Sequence, residues 1–219
     1  MCFFTQQIAI EKNVRHRFNA EIENEEHFLK SDYINGFAHP NIPIILDSSP
    51  NIITTDHTWG LLPFWAQSEE FIKKTNTLNA KIETIEKKPS YKKSTENRCL
   101  IIATGFHEWH WNDPKGLSKD KYIIKSEEDE IFTFAGIYTT WRNPSTQEEK
   151  KTYTMVTTEA NEIMSYIHNH KKRMPIMLRR KDELAWLDKS VDMSEFAYPN
   201  YDVNLVTTPK ISNEQYGLF

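Results

Sequence analysis

The residue best suited to unusual chemistry is Cys2. Initiator methionine is normally trimmed before a residue as small as cysteine, and trimming would give Cys2 a free α-amine beside its thiol, a 1,2-aminothiol. An α-amine with a pKa near 7.7–8.0 is roughly one-tenth unprotonated at pH 7, against a few parts in ten thousand for a lysine near 10.4. The terminal amine is therefore the better Schiff-base former by roughly two orders of magnitude. The neighbouring thiol can then add to the imine and close a five-membered thiazolidine, so the preferred partner is an aldehyde. A cysteine that packs as a small hydrophobe is the competing reading, and taken alone Cys2 fits that reading better.

Four further segments carry candidate groups. Asn79-Ala80-Lys81-Ile82-Glu83 sets an amide, a cation and a carboxylate on alternate residues, which share one face if the piece is extended. A solvated loop fits this spacing equally well. In Thr104-Gly105-Phe106-His107-Glu108-Trp109 an apolar strand runs into Glu108 between aromatics, a setting that raises a carboxyl pKa and suits a general acid or base; the alternative is a strand-edge glutamate facing water. In Ile167-His168-Asn169-His170-Lys171-Lys172-Arg173-Met174-Pro175, His168 or His170 could shuttle a proton and Arg173 could neutralise a carboxylate or phosphate, although basic residues are favoured at helix C-termini anyway. Trp59-Gly60-Leu61-Leu62-Pro63-Phe64-Trp65, preceded by His39-Pro40, offers rigid aromatics that stack or wedge against nucleobases, or else form core. Eight histidines and two cysteines show no paired metal-ligand spacing, so neither a metal nor another cofactor is expected.

These groups need a scaffold. Short β-branched and aromatic runs at residues 2–8, 42–46, 52–58, 99–104, 122–125, 131–139, 152–157 and 204–207 predict strands, with a hairpin-type turn at Asn112-Asp113-Pro114-Lys115-Gly116. Helical spacing is weaker. It links Val14, Phe18 and Ile22, follows a cap at Thr157 or Thr158 into Ile163, Met164 and Ile167, and recurs over 180–187. Strands from end to end with helices between them predict an α+β fold. Six glycines and ten prolines form no linker, so the 219 residues are read as one domain, 1–219. With 38% hydrophobic and 26% charged residues the chain is neither disordered nor fibrous. Two cysteines and the lack of a long apolar run argue against a signal peptide, a membrane span and a disulfide scaffold, pointing to a cytoplasmic monomer, nucleoid-associated if bacterial. The net charge of −4 hides a basic segment at 71–98, where eight basic residues face three acidic ones, a local balance of +5.

The segments Met1-Cys2, Trp59 to Trp65, Asn79 to Glu83, Gly105-Phe106-His107-Glu108-Trp109, Thr157-Thr158-Glu159-Ala160 and Arg173-Met174-Pro175, in this order, resemble the SOS response-associated peptidase (SRAP) family. The resemblance implies a single SRAP-type domain around a curved, barrel-like, mainly antiparallel β-core with flanking helices. It implies a DNA–protein crosslink between processed Cys2 and the ring-opened aldehyde of an abasic site in single-stranded DNA, in the context of DNA damage and repair. Asn79 then holds the cysteine and the sugar, Glu108 transfers protons during Schiff-base formation, and His168, or less well His170, assists sugar ring opening. Pro40, Trp59, Trp65, Lys81 and Arg173 are the implied DNA contacts.

Three departures stand out. The family start Met-Cys-Gly-Arg reads Met1-Cys2-Phe3-Phe4, so a phosphate-binding arginine is missing and another cation must replace it. Lys81 stands where arginine is usual and gives up the bidentate fork. The family histidine would fall on Lys171, so a short insertion before Arg173 is needed to bring His168 or His170 into register. Two other activities compete with crosslinking: a cysteine peptidase or amidase using Cys2, Glu108 and His168, and a non-covalent single-stranded DNA binder in which Cys2 is idle. Abasic-site lyase activity would accompany a Schiff base at the sugar. The purified protein is expected to have an intact mass one methionine short of the encoded chain; retention of Met1 would block the amine chemistry outright.

Overall fold

The computed structural model describes residues 2–211; Met1 and 212–219, the two ends of the expected domain, lie outside the described residues. The fold is mixed α+β, mostly strands, and one of its two sheets curls into a half-barrel. In the five-stranded sheet, Phe4–Gln7 lies between Ser31–Asn35 and Gly105–Trp111, followed outward by Lys119–Ser126 and Leu205–Thr208. The ten-stranded sheet is built on Arg98–Ala103, Phe132–Arg142 and Glu149–Glu159. Most pairings are antiparallel, but Thr58–Trp59 and Asn79–Lys81 add to Glu149–Glu159 in parallel.

Every predicted strand run falls on a strand, with its ends redrawn. The run at 52–58 splits into Ser49–Thr54 and Thr58–Trp59, while Phe132–Arg142 and Glu149–Glu159 extend beyond the apolar stretch as a ladder reaching Arg142 and Glu149. Arg98–Ala103 shows why these runs are continuous rather than alternating. Leu100 and Ile102 enter one apolar cluster while Cys99, Ile101 and Ala103 enter another, so both faces of the strand are buried. The second cluster also takes in Ile34, Phe106, Tyr122 and Ile124 from the five-stranded sheet, and Cys2 itself. It is the apolar layer between the sheets.

The helices need two corrections. The first helix, Glu11–Phe18, ends where Asn19 turns left-handed at φ 49°, and Ile22 belongs to the short strand Glu21–Ile22 instead. The helix Glu162–Ile167 is capped by Asn161, whose Oδ1 accepts the Met164 amide at 2.9 Å, rather than by Thr157 or Thr158. Both threonines remain in the Glu149–Glu159 strand, where Thr157 donates to the Ala80 carbonyl and Thr158 Oγ1 accepts from Tyr198. The 180–187 helix is a 3-10 turn, Arg180–Asp182, continued by Glu183–Leu187. The predicted turn joins Gly105–Trp111 to Lys119–Ser126, with Gly116 at φ 65°.

Past their shared ladder the two longest strands diverge, and the segment carrying Arg173 fills the gap. Arg173–Pro175 pairs with Thr157, Thr158 and Glu159, Met177–Leu178 pairs with Phe134 and Thr133, and between them Ile176 bonds both Val156 and Ala135 at 3.0 and 2.9 Å. The start of the chain is fixed by close backbone approach. Gly36 donates to the Phe3 carbonyl at 2.8 Å, and a Cβ at position 36 would lie 2.9 Å from the Trp59 ring and 3.0 Å from that carbonyl. Gly36→Ala should therefore destabilise by about 1–3 kcal/mol, lowering Tm by about 3–10 °C in a thermal unfolding experiment.

Candidate active site

Cys2 is fully buried where the chain enters the Phe4–Gln7 strand. Its carbonyl accepts a 2.8 Å hydrogen bond from Asn79 Nδ2, seventy-seven residues away and in the other sheet. Asn79 is fixed in turn by its own strand, which runs parallel to Met155–Thr157, and by Tyr91, whose hydroxyl donates to the Asn79 carbonyl at 3.1 Å. Asn79 Oδ1 is buried with no hydrogen-bond partner among the described residues. Glu108 lies on the strand next to Phe4–Gln7, one residue beyond the Phe4–His107 pair.

Glu108 and His168 line one recess of about 160 Å³, walled also by Phe3, Phe4, Trp109 and Lys171. His168 closes the Glu162–Ile167 helix, and its Nδ1 lies 2.8 Å from the Arg173 carbonyl. The same Nδ1 lies 3.1 Å from the Arg173 amide nitrogen, so the Arg173 backbone fixes the ring plane, through its carbonyl when Nδ1 carries the proton and through its N–H when it does not. His170 is exposed at the rim and stacks on Trp111 at 3.9 Å. Of the two candidate histidines, only His168 is buried beside Glu108.

Desolvation dominates the electrostatics. Burial pushes the Glu108 carboxyl up to about 7 and the His168 imidazole down to about 4. Burial, reinforced by the nearby charge of Glu108, raises the Cys2 thiol well above its ordinary range. Near neutral pH the recess therefore holds a neutral imidazole and a carboxyl close to its midpoint, and the buried Cys2 side chain is a thiol rather than a thiolate.

The expected DNA contacts are dispersed. Trp59 is fully buried and its indole N–H donates to the Leu78 carbonyl at 2.8 Å, so it braces the residue before Asn79 and offers no face to a base in this conformation. Arg173 is also buried, its guanidinium held by both Glu83 oxygens at 2.8 and 3.0 Å and by the Thr157 carbonyl. It thereby fixes the backbone that His168 bonds. Glu83 follows the Asn79–Lys81 strand in a 3-10 turn, so the amide, cation and carboxylate do not share one face. Lys81 and Trp65 are exposed, and Pro40 is half-buried with its carbonyl accepting the Trp59 amide. In the basic segment the seven lysines are exposed, but Arg98 turns inward to the Trp186 and Asp188 carbonyls, leaving a surface balance of +4.

Sequence reading missed Tyr91 and the aromatic wall formed by Phe3, Phe4, Tyr33 and Phe37. The Glu83–Arg173 pair was within reach, since both charges lie in segments already singled out. Among the described residues no group of three or more His, Cys, Asp or Glu is arranged to hold a metal ion, and no helix is long and apolar enough to cross a membrane.

The family model for SOS response associated peptidase (SRAP) matches residues 1–212. The chain is 38% identical over 149 residues to abasic site processing protein YoqW of Bacillus subtilis, covering 68% of this chain and 63% of that protein. It is 33% identical over 164 residues to abasic site processing protein HMCES of Gallus gallus, covering 65% of this chain and 47% of that one. The matched region thus spans about half to two-thirds of those relatives' lengths. A crystal structure of a Bacteroides thetaiotaomicron protein superposes with a TM-score of 0.82 at 31% identity, covering 97% of this chain and 93% of the other.

The shifted groups give a pH test. The Glu108 carboxyl, about 7 when folded against 4.5 as the reference, holds its proton more tightly in the folded chain, so its contribution falls as pH rises from 4.5 to 7. His168, about 4 against 6.5, holds its proton less tightly when folded, so its contribution rises with pH over 4 to 6.5. The two slopes offset each other in the native chain. Glu108→Gln leaves only the second, so denaturant titrations should show this variant gaining about 2–3 kcal/mol relative to wild type between about pH 5 and pH 8. A difference independent of pH would contradict a buried, ionising Glu108.

Proposed function

The chain belongs to the SOS response associated peptidase family, and from that premise we propose that it processes abasic sites in single-stranded DNA by crosslinking covalently through Cys2 once Met1 has been removed. The observation that supports this reading most directly is the buried Asn79–Cys2 hydrogen bond, which fixes Cys2 where the charge of Glu108 reaches its thiol.

The chemistry balances without a metal or a redox partner. The α-amine of Cys2 attacks C1′ of the ring-opened sugar aldehyde, giving a carbinolamine. Glu108, protonated below about pH 7, donates a proton to the departing hydroxyl and takes one back from the nitrogen as water leaves, forming the imine. The thiol then adds to the imine carbon while its proton passes, through Glu108, to the nitrogen, closing the thiazolidine. One C–N and one C–S bond form and one water is released. Asn79 Oδ1, the buried acceptor without a partner among the described residues, can accept a hydrogen bond from the amine or from a sugar hydroxyl. His168, neutral down to about pH 4, accepts a proton as the sugar ring opens. The same imine permits elimination at the sugar, which would appear as slow strand incision.

A peptidase built on Cys2 needs a depressed thiol pKa, because the thiolate is the nucleophile. Burial raises the Cys2 thiol instead, which favours the amine-first route. The two routes separate experimentally. Cys2→Ala is expected to abolish the denaturant-stable product with an abasic oligonucleotide, retaining at most an imine that a reductant can trap. Blocking the α-amine of the trimmed protein while sparing the thiol should abolish that product too; a thiol hydrolase would survive the second treatment. Denaturing gels read both outcomes.

A further inference from the structure

Phe4 occupies the centre of a surface aromatic cluster. Its ring lies 4.9 Å from Tyr33 at an interplanar angle of 22°, 5.1 Å from Trp109 and 6.3 Å from Phe37, while Phe3 lies 4.7 Å from Phe37. The cluster is not core. Tyr33 and Phe37 remain 43% and 53% exposed, and Phe37 projects from a single 3-10 turn, Gly36–Ala38.

Two hollows meet at this cluster. On one side Phe3 and Phe4 wall the recess that holds Glu108 and His168. On the other, Phe37 borders a groove of about 480 Å³ lined also by His39, Lys73 and Lys74. Cations flank the rings: the Lys121 ammonium lies 4.8 Å from the centre of Tyr33, Lys119 lies 4.6 Å from that of Trp111, and Lys171 is on the recess wall. Of the groove lysines, Lys73 also pairs with Glu70. Exposed ring faces between cations are the physical requirement for holding a single strand, since rings stack bases and cations follow phosphates. A sugar that has lost its base leaves a flanking base with one face uncovered, and an exposed ring beside the recess can cover it.

We propose that Phe37, backed by Phe3 and Phe4, is a stacking platform for the nucleobase that flanks the abasic sugar. This inference rests on the crosslinking reading above. It assigns to stacking part of the grip that a phosphate-binding arginine at position 4 would have given, and places the accompanying phosphates on lysines at either side.

The first test needs no variant. Crosslinking rates at limiting protein are compared for single-stranded oligonucleotides whose abasic site has adenine on both sides, or a baseless tetrahydrofuran spacer on its 5′ side, or one on its 3′ side. The wild type is expected to slow about ten-fold with the spacer on one of the two sides, within the range that single base–aromatic stacks contribute. Phe37→Ala should be slow with adenine on both sides and indifferent to the spacer, and Phe37→Tyr should restore both rate and discrimination. Equal wild-type rates on all three oligonucleotides, or undiminished discrimination in Phe37→Ala, would overturn the platform. Absence of any crosslink with the wild type would instead overturn the reading on which it rests.

Discussion

One buried hydrogen bond, from Asn79 Nδ2 to the Cys2 carbonyl, ties the beginning of the chain to a strand of the opposite sheet. A residue so near a terminus is ordinarily frayed, with side chain and backbone sampling many conformers. Here the ends of the tie are themselves restrained. Phe4–Gln7 is paired on both edges, Gly36 holds the Phe3 carbonyl, and Asn79 is braced by Tyr91 and by the indole bonded to its neighbour Leu78. The entropy of ordering residue 2 is thus met largely by strand pairing and burial, and the orientation of whatever groups Cys2 carries follows from the two sheets.

Burial does a second job. It desolvates Cys2 in the apolar layer and Glu108 and His168 at the recess, and in each it disfavours the charged form. Desolvation is the largest influence on Glu108 and brings its midpoint near neutrality, against the lowering effect of a hydrogen bond from the Trp109 backbone. The ion pairing lies one step back. Glu83 holds Arg173, and Arg173 presents the carbonyl that His168 meets.

Much of this was legible in the sequence because it depends on local pattern. Apolar runs marked the strands, whereas Cys2, Asn79, Glu108 and His168, with His170 as its alternative, stood out as site candidates through the family resemblance rather than through spacing alone. What local pattern did not carry was set by contacts across the chain. Trp59 and Trp65 read alike as rigid aromatics, yet one is sealed between strands and the other is 40% exposed, a difference decided by packing against Gly36, Leu78 and Tyr153. Arg98 and Arg173 counted as surface cations until tertiary partners claimed them. Ser31–Asn35, polar and short, becomes a strand only because Phe4–Gln7 offers it an edge.

The divergence of Phe132–Arg142 from Glu149–Glu159 leaves the stretch between His168 and Arg173 suspended from two anchors that the His168–Arg173 hydrogen bond also joins. On one side Asn161 caps the helix that ends at His168; on the other Glu83 and the strand partners grip Arg173. Between them the chain loops out through exposed lysines, with Lys172 in the left-handed region at φ 48°. Such a segment acts as a length buffer: a residue gained or lost there changes the arc of the loop without moving either anchor. The departure in spacing before Arg-Met-Pro falls within this stretch, between the two anchors.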